Sequence, residues 1–177
     1  MVRKLCFKCG LYLQGLTHDL SKYSPVEFWN GVKFYTGTKS PHYGEREAYG
    51  YSKAWLNHKG RNKHHLEYWL DYGIPKREEL GSGEKMGICG MKMPIKYAVE
   101  MYIDRVAASK NYQKEKYKDD SALRYYEREK ELALLHEDTR ALLELLLVML
   151  AKHGEAETNR FIRYELLKGS IPYEKAA

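Results

Sequence analysis

The chain reads as an all-α protein, because apolar residues recur at three- and four-residue intervals along most of its 177 residues while period-two alternation is almost absent. Helix start and stop signals bracket those periodic stretches, which is the second observation behind the assignment. Composition agrees with both. With 44% hydrophobic and 31% charged residues and only 5 prolines, this is a globular sequence able to bury a core, neither disordered nor fibrous. One helical domain is expected over 1–177, with a core over about 1–111 and C-terminal helices over about 121–168.

Taken in order, the first helix is expected from Val2 to Leu20, burying Leu5, Cys6, Cys9, Leu13 and Leu16 and ending near His18-Asp19. Lys8, Gly10, Gln14 and Gly15 interrupt its apolar character and no small-residue cleavage site follows, so it reads as mature protein rather than a signal peptide. Ser24, Pro25 and Glu27 form a capping box that opens a helix from Pro25 to Tyr35. Thr36 to Tyr43, with Gly37 and Pro41, reads as a loop, and a helix from Glu45 to Lys59 then ends at Gly60. Asn62 is the expected cap of a helix from Lys63 to Tyr72, stopped by Gly73 and Pro75. The glycine-rich stretch Gly81 to Met93 reads as a mobile loop, of the kind that often serves as a lid. Pro94 opens a helix to about Asn111. From Ser121 to His153 the pattern is helical with a break around His136 to Thr139; Gly154 ends it, and a last helix covers about Glu155 to Lys168. Leu142, Leu143, Leu145, Leu146, Met149 and Leu150 form a stripe that is core or a homodimer interface.

Several function classes drop out. The most apolar run, Ala141 to Ala151, contains Glu144 and is shorter than the roughly 20 residues of a membrane span, so no membrane association is expected. Three cysteines do not make a disulfide framework, which points to a reducing, cytoplasmic setting. Cys6 and Cys9 form a CxxC, read as two residues of one buried helix face rather than a zinc or redox pair. A net charge of +6 favours anionic partners, either phosphorylated small molecules or nucleic acid. The 16 tyrosines are suited to the core margin or to a polar cleft.

The feature that calls for chemistry is the histidine distribution. His58, His64 and His65 fall within eight residues, and His18 is followed directly by Asp19. A tight turn between a helix ending at Gly60 and one starting at Asn62 gathers the three, and a helix N-terminus keeps His64 and His65 neutral, as metal ligands must be. Imidazoles mixed with carboxylates suit Mn, Fe, Ni, Co or Zn better than Ca. The competing reading makes His64 and His65 partly exposed polar residues at a helix start. Glu67, shortly after them, either orients a ligand histidine, acts as a base, or is a first-turn acid. Asp104 lies roughly opposite the face of Ile95, Ala98, Val99, Tyr102 and Val106, which favours a solvated residue unless Tyr97, Met101, Ala107 and Ala108 are covered too. His136 and His153 read as structural, and His42 has no evident role.

His18-Asp19-Leu20-Ser21-Lys22 resembles the HDxxK signature of the HD-domain metal-dependent phosphohydrolases. More closely, His18 to Lys22, Pro25 to Phe28 and Asn62 to Trp69 resemble a family of bacterial and viral proteins of unknown function, over most of the chain. The first resemblance implies an HD-domain-like helical bundle with a C-terminal helical extension, a divalent transition metal, and hydrolysis of a nucleotide or small phosphomonoester. It implies that His18 and Asp19 are the paired ligands, that His58 and one of His64 or His65 are the intervening histidines, and that Asp104 is the distal ligand. Asp19 would also orient the nucleophile, and Lys22 would face the substrate phosphate, with Arg61 and Lys63 as weaker candidates. One departure is that HD-domain proteins place a metal histidine upstream of the pair, whereas no histidine precedes His18; either Met1 is a late start or another group completes the site. The alternatives are a non-catalytic HD-like module that binds a nucleotide or nucleic acid, and a helical interaction protein.

Overall fold

The computed structural model describes residues 1–37, 40–73, 87–169 and 173. Its described residues are predominantly helical, with one small antiparallel strand pair, so the fold is all-α as expected. α1 (Val2–Cys9) stops earlier than the periodicity suggests, because Gly10 takes up a left-handed conformation (φ 85°) and its N–H closes onto the Cys6 and Phe7 carbonyls. α2 (Tyr12–Thr17) then folds back along α1. Gly15 permits this approach, since a Cβ there would stand 2.9 Å from the Cβ of Cys6. As a result Leu5, Cys6 and Cys9 are buried as expected, but Leu13 and Leu16 turn to the surface. A single turn of 3₁₀ helix, Leu20–Tyr23, leads into α3 (Pro25–Phe34).

Four further expectations are corrected here. Ser24 makes no side-chain cap for α3, and the capping box does not form because Glu27 turns inward, away from the helix start. The helix expected over Glu45–Lys59 is two helices, α4 (Pro41–Tyr49) and α5 (Lys53–Lys59), separated by Gly50 at φ 78° and restarted by the Ser52 hydroxyl accepting from the Trp55 N–H. No α-helix spans Lys63–Tyr72. The Asn62 side-chain amide donates to the His58 carbonyl and the Ser21 hydroxyl instead of capping a helix, and the chain beyond it forms a turn, a 3₁₀ segment at Leu66–Trp69 and the strand β1 (Leu70–Tyr72). β1 pairs antiparallel with β2 (Ile88–Gly90), Leu70 facing Gly90, so part of the stretch expected to be a loop up to Met93 is strand. Residues 81–86 of that loop, and Pro75, lie outside the described residues.

The C-terminal half supplies most of the core. α6 (Ile95–Gln113) is its centre, buried at Ala98, Val99, Met101, Tyr102, Ile103, Val106 and Ala107 and packed against α1, α7 (Ser121–Glu129) and α8 (Glu137–Phe161). The break expected near His136 begins earlier, with a 3₁₀ turn at Lys130–Leu132, and His136 caps α8 by accepting from the Asp138 N–H. Gly154, at φ 78°, kinks α8 without ending it, and a π-type turn, Ile162–Leu166, completes the last helical stretch. The leucine stripe is core: Leu142, Leu143, Leu146, Leu147 and Leu150 are buried, whereas Leu145 is exposed. Each such side chain contributes about 1.5–3 kcal/mol of gross transfer energy. No helix among the described residues is long and apolar enough to cross a membrane.

Candidate metal centre

Four chain segments meet at one polar point between α6 and the α3–α5 group. The end of α2 delivers His18 and Asp19, α5 delivers His58, the turn after it delivers His64 and His65, and α6 delivers Glu100 and Asp104. Asp19 is one of two non-glycine residues with positive φ among the described residues (58°), a conformation that aspartate tolerates better than most and that is enriched at functional positions. This turn aims its carboxylate at several partners at once. Oδ1 lies 3.3 Å from His58 Nε2 and 3.4 Å from His64 Nε2, while Oδ2 lies 3.3 Å from His18 Nε2 and 2.6 Å from Lys22 Nζ. His18 Nε2 is also 3.4 Å from Asp104 Oδ1.

The opposite ring nitrogens are held by two buried carboxylates. His58 Nδ1 lies 2.8 Å from Glu27 Oε2, and Glu100 Oε1 lies 3.0 Å from His18 Nδ1 and 3.3 Å from His64 Nδ1. A carboxylate is an acceptor, so it holds an imidazole proton on Nδ1 and, once the ring is neutral, leaves the Nε2 lone pair turned inward; this is the arrangement that commonly orients metal-ligating histidines. Three atoms at the centre, Asp19 Oδ1, His64 Nε2 and His65 Nε2, are buried and make no hydrogen bond. Such atoms are costly to leave unmade. Ligand atoms of Asp19, His58, His64 and His65 all lie within 4.8 Å of one another, a three-nitrogen, one-oxygen set suited to Zn or a neighbouring transition metal. His18, His64 and Glu100 also lie within 4.8 Å, but there Glu100 is on the Nδ1 side, where it orients the rings.

Electrostatics follow from this packing of acids against imidazoles. Burial opposes charge on Asp19, yet the His18 and His64 rings against it, with Lys22 beside it, hold its carboxyl well below the usual range. Glu100 and Asp104 are likewise lowered, against the effect of burial, by their histidine neighbours. His18 is pushed up to about 11 because Asp104, Asp19 and Glu100 outweigh its own desolvation, and His64 is raised by Asp19 and Glu100 in the same way. His65 moves the other way. Burial, then the charges of His64 and His58, bring it down to about 3 and keep it neutral.

Of the residues expected from sequence, His18, Asp19, Lys22, His58, His64, His65 and Asp104 are brought together. Asp104 is half-buried and faces His18, so the solvated reading of that residue does not hold; α6 is covered on both sides. His64 and His65 are gathered by the turn at Asn62 and not by a helix start, so no helix dipole acts on them. Glu67 lines the adjoining cavity but bonds to no histidine among the described residues; that orienting work is done by Glu27 and Glu100. Arg61 is exposed and donates to Asn57, away from the cluster. Glu27 and Glu100 are the two residues the sequence reading passed over. The signal for Glu100 was its position four residues before Asp104, on the same helix face.

A cavity of about 610 Å³ opens from the cluster, with His64, His65 and Asp104 at one end and Trp55, Arg105 and Tyr125 among its walls. Its size suits a small organic ligand. The chain matches the family of unknown function DUF5662 over residues 1–149, which includes every residue of the cluster. The chain belongs to that family. No curated protein and no solved structure matches it.

Proposed function

We propose that this member of the family is a divalent-metal-dependent phosphohydrolase of the HD-domain type, acting on a nucleotide or small phosphomonoester. The observation that carries the reading is the convergence of Asp19 Oδ1, His64 Nε2 and His65 Nε2, all buried and without hydrogen bonds, beside His58 Nε2 and at the mouth of a ligand-sized cavity. Asp19, His58, His64 and His65 would hold the ion, and His18 and Asp104 border the same carboxylate. A divalent ion bound there supplies Lewis acidity toward water and toward a phosphoryl oxygen.

The chain's own residues do the remaining work. Glu27 and Glu100 fix which nitrogen of each ring is free, so the ligand set needs little reorganisation. Lys22 Nζ, exposed and anchored on Asp19 Oδ2, presents a positive charge at the cluster's rim, where it neutralises an incoming phosphoryl group. Asp104, half-buried beside His18 and kept ionised by it, can accept a hydrogen bond from water on the cavity side and orient it. Glu67, also on the cavity wall, is the second candidate for that role. Three carboxylates, of Asp19, Glu100 and Asp104, surround His18, a set that favours a cation.

The test is elemental analysis of untagged protein purified without added metal, with His64→Ala as the control. Near-stoichiometric transition metal, lost in the control, followed by turnover in a phosphatase substrate screen, is the expected result. Absence of bound metal after reconstitution with Mn, Ni and Zn would overturn the proposal.

A further inference from the structure

The cavity beside the cluster carries a cation that the proposed hydrolysis leaves unused. Arg105 follows Asp104 on α6 and, about 100° further around the helix, turns away from the cluster toward α7. Its guanidinium carbon lies 5.8 Å from the ring centroid of Tyr126, on the cavity wall. Among the described residues Arg105 has no ion pair, and its Nε is buried without a hydrogen bond. Glu129, another acid on that wall, lies beside the Tyr125 hydroxyl and raises its pKa. A half-buried guanidinium lacking an anion is held at a cost, and the ligand that relieves it best is a phosphate or carboxylate taken in a forked contact. The rings of Tyr112 and Tyr125 also line the cavity, apolar surface against which a planar group can pack.

We infer that Arg105 receives a second anionic group of the substrate, across the cavity from the metal cluster, so that the preferred ligand is a nucleoside bisphosphate with its two phosphates on separate positions. The inference rests on the phosphohydrolase reading for the first phosphate and on Arg105 alone for the second. The aromatic walls hold the nucleoside between them. Lys22 stays with the phosphate at the cluster, since it is anchored on Asp19.

Calorimetric titration of adenosine 5′-monophosphate and adenosine 3′,5′-bisphosphate into Mn-loaded protein, with wild type, Arg105→Gln and Arg105→Lys compared, tests this. The bisphosphate should bind about tenfold or more tightly than the monophosphate. Arg105→Gln should abolish that margin while leaving the monophosphate unchanged, and Arg105→Lys should keep part of it. Equal affinity for the two ligands in wild type, or equal weakening of both in Arg105→Gln with unchanged thermal unfolding, overturns the assignment. Metal content measured on the same samples separates the two readings. In metal-free protein, weak monophosphate binding that disappears in Arg105→Gln supports the Arg105 site even where the metal reading fails, and binding indifferent to Arg105 overturns it.

Discussion

Replacing Glu27 by glutamine removes one charge and almost no volume from a side chain that is 2% exposed, yet it should damage metal binding. In the native protein Glu27 accepts from His58 Nδ1 at 2.8 Å through one oxygen and from the Asn57 amide at 2.6 Å through the other. Glutamine can satisfy only one of these. With its oxygen toward His58, its amide faces the Asn57 amide, donor against donor; with the amide toward His58, the imidazole proton is driven to Nε2, where the ligand lone pair is needed. Loss of a carboxylate that orients a ligand histidine typically lowers metal affinity about 10–100-fold, or about 1.4–2.7 kcal/mol. Competition against a chromophoric chelator measures this directly. Asn57→Asp, added to Glu27→Gln, offers an acceptor to the glutamine amide and should recover a good part of the loss. If Glu27→Gln binds Zn and Mn within about twofold of wild type while its metal-free form unfolds at an unchanged temperature, the orienting role of Glu27 is refuted.

Three other outcomes concern titration and packing, and a fourth concerns the strand pair. The ligand histidines must be neutral to bind an ion, and His64, like the adjoining His18, is raised by its carboxylate neighbours, so metal affinity should climb with pH from 6 to 8; a flat profile by chelator competition contradicts this. In EDTA the sign reverses. A His18 pKa raised to about 11 in the folded protein stabilises it fully below about pH 6.5 and progressively less as pH rises toward 11, so the urea midpoint should fall between pH 6.5 and 9.5. Cys6 and Cys9, pushed up to about 12 mainly by burial, should resist alkylation in native protein, so that Cys89 accounts for any fast thiol; two or more fast thiols at pH 8 argue against the packing of α1. Gly90→Ala would place a Cβ 2.3 Å from the Leu134 carbonyl oxygen and should destabilise by about 1–3 kcal/mol in chemical denaturation; a change under about 0.5 kcal/mol contradicts the seating of β2 against the segment before α8.

Helix type and the grouping of His58, His64 and His65 were readable because both depend on local signals, whereas His18, Asp19 and Asp104 joined them only through the HDxxK resemblance. Periodicity marked α6 and α8, and the spacing of His58, His64 and His65 already implied that a turn gathers them. Boundaries were less legible. Gly10 and Gly50 act through left-handed backbone, and a single glycine within a periodic stretch does not announce whether it will break the helix. Ser24 and Glu27 satisfied a capping pattern by residue type, but a tertiary partner, His58, competed for the carboxylate and won. β1 escaped notice because its pairing with β2 is between segments far apart in sequence, and three residues carry little period-two signal. Glu100 was hidden for the same kind of reason: its partners His18 and His64 are distant in sequence, and nothing on α6 itself requires a buried acid.

The cluster draws on residues from His18 to Asp104 and on four separate segments, with no two-residue motif sufficient to make it. Its assembly is therefore a long-range event in folding, one that loop-closure entropy places after the local helices have formed. Fragments that end before α6 lack Glu100 and Asp104, and with them the carboxylates that set the imidazole protons of His18 and His64. A chain emerging during synthesis passes through that stage with its imidazoles already present and unoriented, so on the proposed reading tight capture of an ion would belong to the finished fold and not to a step on the way to it.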